Sequence, residues 1–152
     1  MASVLTQPPV AGAEMGQVFI SFAVVNDDDL VARSHGANRT TVRSALLDDV
    51  LMDTGASHLC LPASVIADLG LPLDREVPVE TPTGIVTLRV FKHARAEFQG
   101  RGAVVEVLEL AAGARPLFGA LAMEALGVEP DTRDRVVRVL PAGEGGRSFI
   151  RA

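Results

Sequence analysis

The 152-residue chain is predicted to be an all-β protein with two short helices, on three observations. Apolar residues make up 48% of it, enough for one real core, while aromatics are only 4%, so that core must be aliphatic. The apolar residues fall in short, β-branched runs separated by Gly, Pro and Asp clusters, the pattern of strands and turns. Only two segments carry a helical signature, each closed by a glycine.

Residues 1–15, with Pro8-Pro9 and small side chains, are expected to be a flexible leader before a single domain spanning 16–141. Val18 to Val25 is apolar and β-branched, hence a strand. Asn26-Asp27-Asp28-Asp29 reads as a turn, and the polar stretch 32–41 as an exposed excursion. Thr41 to Met52 resumes strand character and runs into Asp53. Leu59-Cys60-Leu61 is a short strand. Pro62 then suits the first position of a helix whose apolar stripe is Val65, Ile66 and Leu69 and whose stop is Gly70.

Val77 to Val90 holds the turn signal Thr81-Pro82-Thr83-Gly84 and is expected to be a hairpin, its second arm dry along Val86, Leu88 and Val90. Gln99-Gly100-Arg101-Gly102 marks another turn, Ala103 to Leu110 another strand, and Ala111 to Ala114 a break. Ala120 to Leu126 fits a second helix ended by Gly127, and Val136 to Leu140 a final strand ended by Pro141. Residues 142–152, rich in glycine, are expected to be a flexible tail.

The net charge of −5 argues against nucleic acid and against an anionic membrane surface as partners. The single cysteine, Cys60, excludes an internal disulfide and a cysteine-based zinc site. The beginning of the chain lacks the charge and hydropathy pattern of a secretion signal, and no apolar run is long enough to span a bilayer, so a cytoplasmic location is expected.

The chemistry concentrates in Val50-Leu51-Met52-Asp53-Thr54-Gly55-Ala56-Ser57. A buried strand delivers a carboxylate onto a tight turn, where its surroundings can tune its proton affinity. Two carboxylates held in contact share one proton. The ionised one can activate a water while the protonated one donates to a carbonyl oxygen, which hydrolyses a peptide bond without a metal or a covalent intermediate. Only one such segment exists, so a second carboxylate must come from another copy of the chain. Glycine at 55 lets the backbone approach and point its N–H at the carboxylate.

At these residues the chain resembles the retroviral-type (retropepsin-like) aspartic proteases, and more closely their bacterial relatives. The likeness runs from about Val18 to Pro141 and includes Leu51 to Ser57, the helix signal from Pro62, the central hairpin, and a second signature, Leu117-Phe118-Gly119 before a short helix. In that family this second segment threads beneath the active loop. The shared-proton dyad is a standard example of coupled carboxylates.

The resemblance implies a closed-barrel lobe per chain, a homodimer with one catalytic Asp from each subunit, a channel for an extended peptide or protein substrate covered by two flaps, and an interface made partly by terminal strands. By resemblance Asp53 is catalytic, Thr54 and Gly55 shape the loop, and Leu117, Phe118 and Gly119 support it. Ala56, Ser57 and His58, with Pro82, Thr83, Gly84 and Ile85 of the flap, would meet substrate. Ser57 and His58 stand where viral members often carry acidic residues, which leaves specificity open. No metal or organic cofactor is implied. A second expectation, from a different class, is a dimerisation or peptide-binding module of the same fold with little turnover.

The remaining chemistry-bearing residues read as structural. Cys60 suits a small core position better than a nucleophile paired with His58. His35 and His93 lack ligand spacing. Asp27-Asp28-Asp29 lacks the alternating ligands of a calcium loop. Gly143 to Gly146 lacks the lysine and hydroxyl of a phosphate loop.

Overall fold

The computed structural model describes residues 3–6, 16–36 and 41–141. In chain order these form β1 (Ser3–Thr6), β2 (Phe19–Asn26), α1 (Asp27–Ser34), β3 (Ser44–Met52), β4 (Leu59–Pro62), α2 (Ala63–Leu69), β5 (Leu73–Thr81), β6 (Gly84–Phe98), β7 (Arg101–Leu110), β8 (Leu117–Phe118), α3 (Ala120–Leu126), β9 (Val128–Asp131) and β10 (Val136–Val139). The protein is mostly β, as expected, but the described residues contain three helices rather than two. None of them is long and apolar enough to cross a membrane.

Seven strands form one sheet in the order β2-β3-β8-β4-β7-β6-β5, and β2 pairs with β6 as well as with β3. The other sheet is β1-β10-β9, antiparallel throughout. Ile20, Val24, Leu59, Leu61, Val107, Phe118 and Val137 fill the core, with Ala122, Met123 and Leu126 of α3 laid against it. Phe22 meets Phe118 edge-on, with ring centroids 4.8 Å apart, one of few aromatic contacts in an aliphatic interior.

Two β-bulges decide which side chains face that core. In β3, Ala45 and Leu47 are half-buried, whereas Val50 and Met52 are buried. Inward positions thus change from odd to even numbers, which a regular strand cannot do. The register with β2 slips between its Ile20 and Phe22 pairs, and Asp49 takes a left-handed φ of 52° while donating its N–H to the Ser21 hydroxyl at 3.2 Å. The slip brings Met52 to the core side immediately before Asp53. In β6, Lys92 and His93 stand opposite the single residue Glu106 of β7, with His93 at φ 65°. The first part of β6 pairs with β5 and the part after the bulge with β2.

Some sequence expectations are corrected. Residues 3–6, expected in a loose leader, form β1 and pair with β10; the rest of 1–15 lies outside the described residues, as does the tail expected at 142–152. The turn expected at 26–29 is the start of α1, and the excursion expected at 32–41 is helical as far as Ser34, with 37–40 outside the description. Asn26 caps this helix, accepting the Asp29 N–H on Oδ1 at 3.0 Å, and three aspartates in the first turn complement the helix dipole. Few apolar residues mark the helix, so its periodicity was silent. Strand β9 was not anticipated. Pro62 precedes α2 as its cap residue instead of opening it, while Gly70 ends the helix in the left-handed conformation as expected. The dry face of the hairpin's second arm extends only part-way: Val90 is buried, Leu88 half-buried and Val86 exposed.

Helix α1 is tied down by a polar cluster. Asn26, only 1% exposed, donates its amide to the Leu69 carbonyl at 2.8 Å. Buried Asp29 receives the Arg43 guanidinium as a fork, at 2.9 and 3.0 Å, together with the Arg43 backbone N–H. These bonds hold the Asp29 carboxyl below its usual range. Replacing Asn26 by alanine removes the cap and leaves the Leu69 carbonyl unpaired. We expect a loss of about 2 kcal/mol, read as a lower urea midpoint with unchanged slope.

Candidate functional site

Asp53 sits just past the end of β3, where β8 passes beneath it. Leu51 and Met52 run parallel to Leu117 and Phe118, and Cys60 of β4 pairs with Leu117 from the other side. The two-residue strand β8 is therefore held between the strands that enter and leave the 53–58 loop. The Asp53 N–H donates to the Phe118 carbonyl at 3.0 Å, and the Ala56 N–H closes the turn onto the Asp53 carbonyl at 3.1 Å. The half-buried Asp53 side chain accepts the Gly55 N–H on Oδ1 at 2.8 Å. A Cβ at position 55 would lie 3.1 Å from that oxygen, close enough that the carboxylate would have to shift by a few tenths of an ångström.

The loop is also tied to α3. The N–H groups of Ala120 and Leu121, which no helical carbonyl could receive, donate to the carbonyls of Ala56 and Ser57 at 2.8 and 2.9 Å. Gly119 makes this approach possible. A Cβ there would overlap the His58 carbonyl oxygen and come within 2.8 Å of that of Ala56. Leu117, Phe118 and Gly119 thus lie against Asp53 and its loop.

Ser57 and His58 belong to a polar chain that the sequence did not disclose. The Ser57 hydroxyl lies 2.6 Å from His58 Nδ1, and His58 Nε2 lies 3.1 Å from Glu106 on β7. Arg75 on β5 grips both Glu106 oxygens, at 2.8 and 3.1 Å, and also contacts Asp74 at 2.7 Å. The Arg75 guanidinium holds the Glu106 carboxyl below its ordinary range, with His58 adding to the effect. The available signal was a carboxylate interrupting the apolar run Val104-Val105-Glu106-Val107. Its partner Arg75 lies 31 residues away, beyond the reach of local patterning.

Thr54 is exposed, and its hydroxyl makes no hydrogen bond among the described residues. The hairpin tip is a two-residue turn, Pro82-Thr83, between the paired Thr81 and Gly84. The Thr81 hydroxyl donates to the Gly84 carbonyl at 2.7 Å, and Gly84 has φ 131°. Ile85 beside it is 72% exposed. Among the described residues no hydrogen bond joins positions 82–85 to the 53–58 loop, so one chain does not bring these two parts of the expected site together in that way.

Cys60 is buried, and burial, with Asp53 adding negative charge, pushes its thiol up to about 11. It is protonated near neutrality and donates weakly to the His58 carbonyl at 3.4 Å. We expect iodoacetamide to leave it unmodified in native protein and to label it rapidly in urea, as read by intact mass. His93 Nδ1 lies 2.8 Å from Asp28, close enough for an ion pair but not aligned as a hydrogen bond, and His35 ends α1. Among the described residues no cluster of His, Cys, Asp and Glu could hold a metal ion. A groove of about 640 Å³ lies elsewhere, between Leu46, Arg95, Glu97 and Arg101, and no residue of the 53–58 loop lines it.

Chemically, one chain supplies a positioned, solvent-reachable carboxylate on a loop braced from below, with a polar side-chain relay at its rim. No family model matches the chain, and no curated protein matches it.

Proposed function

We propose that the chain is an aspartic endopeptidase of the retropepsin-like type, active as a homodimer that hydrolyses extended peptides. The observation that carries this reading is the bracing of Asp53: its N–H on the Phe118 carbonyl, its Oδ1 on the Gly55 N–H, and its loop carbonyls received by the start of α3. Such bracing fits a carboxylate that must keep its place when a second one is brought against it. The pairing circuit β2-β3-β8-β4-β7-β6 and back to β2 supports a closed-barrel lobe. Among the described residues β1 and β9 are the edges of the three-stranded sheet, and their backbone groups would be available to a second copy, in keeping with a two-fold interface.

In the dimer, Asp53 of one protomer takes a proton from water while the partner's Asp53 protonates the scissile carbonyl. The roles then exchange as the tetrahedral intermediate collapses. The flap is the β5–β6 hairpin, whose exposed Ile85 and Val86 would close on the substrate. That same exposed apolar tip would also serve the second reading, a peptide-binding module with little turnover.

The test has two parts. Mass in solution over a concentration series should reveal a dimer. A peptide library should be cleaved by the wild-type protein and left intact by Asp53→Asn. Equal cleavage by both, or a strict monomer that cleaves, would remove the proposal; binding of library peptides without cleavage would favour the module.

A further inference from the structure

The relay at the rim of the Asp53 loop has a direction, and the direction follows from which atoms can donate. Glu106 is gripped by both nitrogens of the Arg75 fork, so its carboxylate can only accept. His58 Nε2, 3.1 Å from Glu106 Oε2, must then carry the ring proton. In the neutral ring Nδ1 is left as an acceptor, and among the described residues its hydrogen-bond partner is the Ser57 hydroxyl at 2.6 Å. While the ring is neutral, Ser57 therefore turns its proton inward. That leaves its oxygen, on an exposed residue four positions beyond Asp53, with lone pairs only to offer.

We propose that Ser57 is a specificity-determining residue of the Asp53 site, fixed as a hydrogen-bond acceptor by the positioning residues His58, Glu106 and Arg75. The site then prefers peptides that present a donor side chain, amide or ammonium, where Ser57 meets them, and rejects carboxylates there. This inference rests on the protease reading and names its substrate class. A free serine would not discriminate in this way, because its hydroxyl can rotate to donate or accept as needed. The relay removes that freedom, and a carboxylate brought to Ser57 would find an oxygen without a hydrogen to offer.

The experiment has an arm that does not depend on cleavage. Long-range ¹H–¹⁵N spectra of histidine-labelled full-length protein, recorded over a pH series and read where the ring is neutral, should show His58 as the Nε2–H tautomer. The Nδ1–H tautomer would overturn the inference.

The second arm uses fluorogenic peptides drawn from the library hits, with Lys, Gln or Glu placed at each position in turn. At one position the wild type should favour Lys and Gln over Glu by about tenfold, carried in KM rather than kcat. His58→Leu and Glu106→Leu should lose that preference, and Glu106→Gln, which keeps an acceptor for Nε2–H, should retain most of it. A preference that survives His58→Leu, or that is absent from the wild type, would overturn the inference. If the wild type cleaves no peptide, the protease reading itself has failed. Fluorescence anisotropy of labelled peptides bearing Lys or Glu at each position then decides: tighter binding of a Lys peptide, lost in His58→Leu, upholds the acceptor role, and equal binding at every position overturns it.

Discussion

Asp53→Asn is expected to abolish peptide cleavage, with kcat/KM lower by about 10³-fold or more, while the melting temperature stays close to that of the wild type. Both halves follow from the geometry. An asparagine Oδ1 can still receive the Gly55 N–H, so the 2.8 Å bond that shapes the turn survives, as do the backbone bonds to Phe118 and Ala56. What is lost is the ionisable group, and with it the proton that a pair of carboxylates would share. In the proposed dimer the substitution enters both halves of the site at once, so no intact half remains to compensate. Circular dichroism and a peptide-library digest on the same samples check the two halves together. A cleaving Asp53→Asn protein would leave the activity without its proposed source.

Gly119→Ala is expected to have the largest effect on stability, about 3 kcal/mol, or roughly 10 °C in melting temperature for a chain of this size. Gly119 has φ −88° and ψ 179°, which any residue can adopt, so strain in the dihedral angles is not the cause. The cause is space. The added methyl would overlap the His58 carbonyl oxygen and press on that of Ala56, both of them backbone atoms with no side-chain freedom to move aside. Relief requires α3 to withdraw from the loop, which breaks the Ala120 and Leu121 bonds and exposes part of the packing of Ala122 and Met123. Thermal unfolding of the variant, with Gly55→Ala beside it, checks the assignment. The 55 position is exposed and its added methyl would meet only the Asp53 carboxylate at 3.1 Å, so that variant should lose activity with a much smaller loss of stability.

Much of the strand order in the chain was legible, because alternation and turn chemistry are local properties. The Thr81-Pro82-Thr83-Gly84 hairpin and the helix from Ala120 to Leu126 closed by left-handed Gly127 are where the residues put them, whereas the turn expected over Gln99-Gly100-Arg101-Gly102 is complete by Gly100, and Arg101 and Gly102 already belong to β7. Asp53 and Gly55 lie beside Leu117-Phe118-Gly119, the neighbourhood the resemblance implied, although Gly55 and Leu117 are 62 positions apart in the chain. That connection came from the resemblance, since no periodicity links them. Two things stayed hidden. Helix α1 is held by its cap, its acidic first turn and the Asp29–Arg43 pair, none of which produces an apolar stripe. The Ser57-His58-Glu106-Arg75 chain joins three distant parts of the sequence, and only the β6 bulge, which sets two residues against Glu106, shows that this strand departs from regular pairing there.

The union of the first and last strands within a single copy separates two events that could have been one. Ser3 to Thr6 pairs with Val136 to Val139 of the same molecule. Each polypeptide can thus form that pairing by itself, and in the proposed dimer association would be the docking of already folded bodies. Dilution of the proposed dimer would then silence it without unravelling either copy.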